Sequence, residues 1–256
     1  VAAFKNLCVS LGATAYWGGD EASGTNLDDP VGGFDATILA GGGTITYQAE
    51  SVCPVEPPVF AHDGSSSLFA TAPIGCDPVS GANPWSIACW TKLDASGGGA
   101  DYQTLFRTGV TAPFGVALYY VINDPPIYGD CETGNGSTTI AAHNYHGTPT
   151  VTRGTVNFLV GTYNGSVMRF YVNGVEASGS PSGTLTPLVA GDDTAATIGG
   201  YAGVKGKWMP LVLFKGTCLT QQNVTDLYAS GQIVWPPAGA DNSDRKILVP
   251  SAARLR

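Results

Sequence analysis

Short apolar runs broken by turn residues recur through most of the chain and read as β-strands. Runs at 85–93, 102–108, 114–123, 156–163, 167–172, 195–198 and 209–214 are rich in β-branched and aromatic residues and are separated by Gly, Asn and Asp. Residues 1–12, carrying AFKNLCVSL, read as a short apolar opening strand. Residues 13–52 are loop-rich, with an acidic patch of Asp20, Glu21, Asp28 and Asp29. A Pro-rich excursion follows over 53–84, too dense in proline for central strands. Asn164-Gly165 lies between FLVGTY and SVMRFYV, and Asn173-Gly174 between RFYV and VEAS. Asn-Gly between strand-like runs signals a hairpin, because a type I′ turn needs φ > 0 at both central residues. The pattern therefore predicts a three-strand antiparallel meander over 156–178.

One segment has a helical period. Thr220 can cap a short helix with Leu219, Val224, Leu227 and Tyr228 on one face, and Gly231 stands where a helix would stop. After Trp235 the strand pattern is lost, and Pro236-Pro237 marks the boundary. The predicted fold class is all-β: a two-sheet antiparallel jelly-roll β-sandwich of about 14 strands with one short C-terminal helix. The sandwich occupies 1–234, with a Pro- and Cys-rich insertion at about 48–84, and 235–256 is an extended tail.

Composition sharpens this reading. Charged residues make up 12% of the 256, about half the usual share of about 25%. Net charge is −8 with only 12 Lys and Arg, which disfavours a grip on a phosphate backbone and so excludes nucleic acid as a partner. No apolar run approaches the ~20 residues of a membrane-spanning helix. The sequence opens at Val1 without a basic and apolar leader, which leaves a removed signal peptide open. Cys8, Cys53, Cys76, Cys89, Cys131 and Cys218 form an even set compatible with three disulfides, their connectivity open. Cys53, Cys76 and Cys131 sit in turn-like surroundings suited to loop staples. Cys8, Cys89 and Cys218 sit in apolar runs, where a thiol can serve as a small hydrophobe. Three bridges would favour an extracellular life, and six thiols a cytoplasmic assembly.

Four stretches, in order, resemble a known family. AYWGGDEASGTNLDDPVGGFDATI, WSIACWTKLDASGGGADYQTLFRTG, NFLVGTYNGSVMRFYVNGVEASGSPSGTL and KWMPLVLFKGTCLTQQNVTDLYASG are similar to the successive motifs of laminin-G-like, concanavalin A-type sandwich domains. The resemblance runs from about residue 13 to 231. It implies a jelly-roll sandwich that binds glycans or proteins, in some relatives with a rim Ca2+ ion and in others with glucan hydrolysis. It also implies a setting common on bacteriophage particles and secreted bacterial proteins. Two positions depart from the pattern. Met209-Pro210 stands where an acidic residue usually contributes to the calcium rim, and Phe158 stands near a customary Trp.

Glucan hydrolysis on such a sandwich needs two carboxylates on one strand face. The pairs Asp20-Glu21, Asp28-Asp29 and Asp192-Asp193 are adjacent in sequence, so a strand would point them to opposite faces. No Gly-x-Ser-x-Gly, His-Glu-x-x-His or P-loop occurs. The expectation is a non-catalytic protein that requires no cofactor. On the family analogy, Asp28, Asp29, Asp192 and Asp193 are the candidate ligands of a rim Ca2+. Candidate sugar-binding residues are Tyr119, Tyr120, Asn123, Tyr128, His143, Asn144, Tyr145 and Tyr201, since aromatic rings stack on pyranose faces and amides fix hydroxyls. Tyr119 and Tyr120 face opposite ways in a strand, so one of them at most meets solvent.

The tail carries Trp235, Arg245, Lys246, Arg254 and Arg256 around the apolar anchor Ile247, Leu248 and Val249, with no acid in its last 12 residues. Opposite a net acidic body, it suits docking onto another copy of this chain or onto a capsid or appendage protein. Two functions compete: a decoration or appendage protein on a bacteriophage-type particle, and a secreted module that binds cell-surface glycans. Either places the chain outside the cell or on a virion surface.

Overall fold

The strand-like runs pair into two antiparallel sheets. The computed structural model describes residues 3–38, 45–49, 52–53, 59–63, 69–71, 83–95, 102–108, 116–122, 128–134, 139–143, 148–177, 196–199 and 204–232. At 48, 59–60, 62–63, 69–71, 133–134 and 139–143 it describes the backbone alone. In chain order the elements are α1 (Ala3–Ser10), β1 (Ala15–Trp17), β2 (Asn26–Leu27), β3 (Ala36–Ile38), β4 (Ile45–Ala49), β5 (Val59–Asp63), β6 (Phe69–Thr71), β7 (Trp85–Leu93) and β8 (Tyr102–Thr108). There follow β9 (Val116–Val121), β10 (Tyr128–Gly134), β11 (Thr139–His143), β12 (Asn157–Tyr163), β13 (Met168–Val172), β14 (Val175–Glu176), β15 (Ala196–Ile198), β16 (Lys205–Lys215) and α2 (Gln221–Gly231). The first sheet runs β14-β13-β12-β7-β16-β5-β4, with β1 also paired to β16. The second runs β11-β10-β9-β8-β15-β6-β3-β2. This is the two-sheet jelly-roll sandwich with a short C-terminal helix that the sequence predicts.

The core lies between the sheets. Trp85, Ile87 and Cys89 of β7 and Leu211 and Leu213 of β16 face Val116, Leu118 and Tyr120 of β9, and all are buried. Trp17 of β1 stacks on Phe106 of β8 at 6.3 Å. A hydrogen bond between the hydroxyls of Thr91 and Tyr120 ties one sheet to the other.

The first sheet's outer face is also apolar, and the two helices close it. Trp90 of β7 and Phe158 of β12 are register partners, with ring centroids 4.8 Å apart. Phe4 of α1 meets them edge-on at 6.2 and 5.9 Å, and Tyr228 of α2 stacks on them at 5.7 and 6.2 Å. Phe158 thus fills an aromatic slot on this face. The cap of α2 is as predicted: the Thr220 side chain accepts from the Asn223 N–H, and Asn223 accepts from the Thr220 N–H at 3.0 Å. Gly231 plays a different part from the one expected. It is the last helical residue, and a Cβ there would lie 2.3 Å from Trp90, so its smallness serves packing and not a left-handed stop.

Four further expectations are corrected. Residues 3–10 form a helix and not a strand, because Phe4, Leu7, Cys8 and Leu11 recur at helical spacing; Phe4 and Cys8 are fully buried, and Leu7 and Leu11 pack against the same core. The stretch 13–52 contributes β1 to β4. Within the Pro-rich excursion, β5 sits between β16 and β4 and β6 between β15 and β3. Pro57 and Pro58 precede Val59, so the prolines fall outside the strand and its ladder survives. Finally, Cys8, Cys53, Cys89, Cys131 and Cys218 stand as thiols and not in disulfides. Cys53 and Cys131, expected in loops, are fully buried. Cys76 lies outside the described residues.

The meander forms as β12-β13-β14, and its two turns differ. Asn173 and Gly174 both have positive φ, 53° and 82°, as a type I′ turn demands. At the other turn only Gly165 is positive (98°), and the Asn164 side chain accepts from the N–H groups of Ser166 and Val167.

Candidate functional site

On β9 the alternation sends Val116, Leu118 and Tyr120 into the core and Ala117, Tyr119 and Val121 to the second sheet's outer face. The register extends that face in rows. Tyr102, Val121 and Tyr128 share one row; Thr104, Tyr119, Asp130 and His143 share the next; Arg107, Ala117, Glu132 and Ala141 share a third. No helix among the described residues covers this face as α1 and α2 cover the other.

Its chemistry centres on Tyr119. The phenol oxygen is 3.1 Å from Asp130 Oδ2 and 3.1 Å from Glu132 Oε2, so these carboxyl oxygens lie within about 6 Å of each other. One phenol carries one proton and can donate to only one carboxylate. Both contacts are hydrogen bonds only if a carboxyl holds a proton as well and donates back to the phenol. Asp130 is the acid held most strongly toward its protonated form. Burial, and then the charge of Glu132, push its carboxyl up to about 8 against the opposing bond from Tyr119. Burial also raises Glu132. For Tyr119, burial and then the two acids keep the phenol protonated throughout the working range.

An aromatic platform flanks the triad. Tyr102 is 55% exposed, and its ring meets Tyr119 edge-on at 5.8 Å. Tyr128 is half-buried and packs against the Ala117, Tyr119 and Val121 cluster. Arg107, 7% exposed, stands in the row of Glu132 with only Ala117 between their strands.

Of the residues singled out from sequence, Tyr119 and Tyr128 belong to this face and Tyr120 does not. Tyr120 is fully buried and bonded to Thr91, so its ring cannot meet a ligand. His143 is the register partner of Asp130, and its side chain is not described. Asn123, Asn144, Tyr145 and Tyr201 lie outside the described residues, as do Asp192, Asp193 and the tail with Trp235, Arg245, Lys246, Ile247, Leu248, Val249, Arg254 and Arg256. Asp130, Glu132 and Tyr102 were missed. The readable signal was Asp-x-Glu at 130–132, the period-two spacing that puts two acids on one strand face. The glycines around GDCETG made it look like a turn, whereas it is β10.

Asp29 is buried and organises the 29–35 loop. Its oxygens accept the N–H groups of Tyr16, Val31, Gly32 and Phe34 at 2.9–3.1 Å. A carboxylate so surrounded by the positive ends of N–H dipoles fits a loop anchor and does not fit a cation ligand. Asp28 is exposed; it accepts from the Asn26 side chain, and its own N–H donates to Glu21. Among the described residues no three His, Cys, Asp or Glu side chains are grouped to hold a metal ion.

Residues 63–222, more than half of the chain, match the laminin G-type signature of the Concanavalin A-like lectin/glucanases superfamily, and the chain belongs to that family. No curated protein matches its sequence. Among solved structures it is similar to domain 4 of AbnA, a GH43 extracellular arabinanase from Geobacillus stearothermophilus in complex with arabinotriose. That similarity has TM-score 0.58 and 21% identity, over 85% of this chain and 98% of that one. It is also similar to Trypanosoma rangeli sialidase in complex with the inhibitor DANA (TM-score 0.59, 15% identity, 87% of this chain and 33% of that one). The binding domain of botulinum neurotoxin serotype D is a third (TM-score 0.58, 13% identity, 87% and 52%). The chain thus spans about a third of the sialidase and half of the toxin domain. At these identities the likeness is one of fold.

Proposed function

We propose that this chain is a non-catalytic glycan-binding domain that holds sugar across the second sheet's outer face. The observation that carries the reading is Tyr102: a large ring more than half exposed, braced edge-on by Tyr119, on a face whose polar groups are fixed by their own hydrogen bonds. An exposed ring held rigid binds the apolar face of a pyranose or furanose at little entropic cost. Glu132 and the half-buried Tyr128 supply acceptors and a donor for hydroxyls. The arabinanase domain caught with arabinotriose supports sugar as the ligand class.

The same geometry argues against hydrolysis. The two carboxyls are close enough for a glycosidase pair, but the Tyr119 hydroxyl fills the gap that a scissile oxygen would need. Asp130 is also only 6% exposed. As for display, the reading that fits the charge reversal between an acidic body and the basic segment 235–256 is a surface module. It would be attached through that segment to other copies or to a capsid or appendage protein, on a bacteriophage-type particle or a cell exterior. A glycan array followed by calorimetry tests the binding: the wild type retains at least one oligosaccharide unhydrolysed, and Tyr102→Ala lowers its affinity at least tenfold. Wild-type and variant binding that are equal would overturn the assignment to this face, and release of reducing ends would overturn the non-catalytic reading.

A further inference from the structure

Three Asn-Gly pairs stand in the sequence, at 135–136, 164–165 and 173–174, the first of them outside the described residues. Such a pair can react with itself. A glycine has no Cβ, so its backbone nitrogen is unhindered in approaching the side-chain carbonyl of the asparagine before it. The meander β12-β13-β14 holds the other two pairs, and it sets the same dipeptide in opposite surroundings. Asn173-Gly174 is clamped by other elements. The Asn173 N–H donates to the Phe158 carbonyl at 2.8 Å, and Asn173 Oδ1 accepts the Phe158 N–H at 2.8 Å. Gly174 is buried against α2. Its carbonyl accepts from Gln221 Nε2 at 2.7 Å and from Thr225 Oγ1 at 3.2 Å, and a Cβ there would lie 3.2 Å from Tyr228.

Asn164 is exposed, and so is Ser166 beyond the glycine. Asn164 Oδ1 accepts the Ser166 N–H at 3.0 Å, the Val167 N–H at 2.7 Å and the Ser166 hydroxyl at 3.1 Å. These donors come from the turn itself, so they move with it. When a nucleophile attacks Cγ, negative charge develops on Oδ1. Two backbone N–H groups and a hydroxyl already aimed at that oxygen form the donor set of an oxyanion hole, which lowers the barrier to attack. At Asn173 the Phe158 N–H instead fastens the same atom to a neighbouring strand.

We propose that Asn164 is a site of spontaneous deamidation in the folded protein and that Asn173 is protected from it. The Gly165 nitrogen attacks Asn164 Cγ. The N–Cγ bond forms, the Cγ–Nδ2 bond breaks, and ammonia leaves with the proton of the Gly165 amide. Water then opens the resulting succinimide at one carbonyl or the other, which leaves aspartate or isoaspartate. Either product adds a negative charge to the β12–β13 turn, and isoaspartate also lengthens its backbone by one methylene. The site is separate from the Tyr102 face and does not depend on it. Peptide mapping by mass spectrometry tests the proposal, with isoaspartate counted by enzymatic methylation. The full chain is held at mildly alkaline pH, folded in one arm and unfolded in denaturant in the other. Position 164 is expected to convert at least as fast folded as unfolded. In the folded chain it should outpace position 173 at least tenfold, and in denaturant the two should be similar. Gln221→Ala combined with Thr225→Ala, shown to be folded by its melting curve, should speed conversion at 173 and leave 164 unchanged. Position 164 slower folded than unfolded, a ratio of the two sites no larger folded than unfolded, or a rate at 173 indifferent to release from α2 would overturn the proposal.

Discussion

Trp90 on the first sheet and Tyr119 on the second occupy equivalent places: each is a large aromatic on the outer face of a central strand. Trp90 is sealed under Phe4, Tyr228 and Gly231. Tyr119 is buried as deeply as a core residue, at 9% exposure, yet spends its hydroxyl on two acids and its ring edge on an exposed tyrosine. The contrast teaches where each face's free energy goes. The first face gains stability from apolar burial. The second retains desolvated acids, at a cost to the fold.

The largest expected effect lies on the closed face. Trp90→Ala should destabilise the domain by about 3–5 kcal/mol in denaturant unfolding, and Gly231→Val by a similar amount through the clash with Trp90. A loss below about 1 kcal/mol in both would break the contrast. Next comes pH. The folded value of Asp130, about 8, lies above its unfolded value of 3.8. Below about pH 4 the carboxyl is protonated in both states, and between 4 and 8 only the unfolded chain releases the proton. Stability therefore falls as pH rises through that window, by on the order of a few kcal/mol. Asp130→Asn should flatten the fall and make the variant more stable than the wild type at pH 8. Equal slopes from pH 4 to 8 would show that the acid is not held protonated. Tyr119→Phe removes the shared hydroxyl and should cost about 1–3 kcal/mol. Smallest of all, Tyr102→Ala should change stability by less than about 0.5 kcal/mol. A larger loss would make that ring part of the scaffold.

Much of this was legible in the chain. The Asn-Gly meander, the Thr220 cap and the inward-outward split of Tyr119 and Tyr120 follow from local rules, and the family motifs stand in order. What escaped did so for identifiable reasons. In 1–12 a period of 3.6 was read as an apolar run, because eight residues give barely two helical turns. Prolines flanking β5 masked a strand whose ladder begins only after them. Glycines beside Asp130 and Glu132 disguised a strand as a turn, and with it the acid pair.

The most direct test of the glycan-binding face is a chemical-shift titration of the isotopically labelled chain with arabinotriose and a panel of other neutral oligosaccharides. The expected result is perturbation centred on Tyr102, Tyr128 and Glu132, with the sugars recovered intact and Trp90 and its neighbours silent. Perturbations confined to the helical side, or none with any sugar, would contradict it.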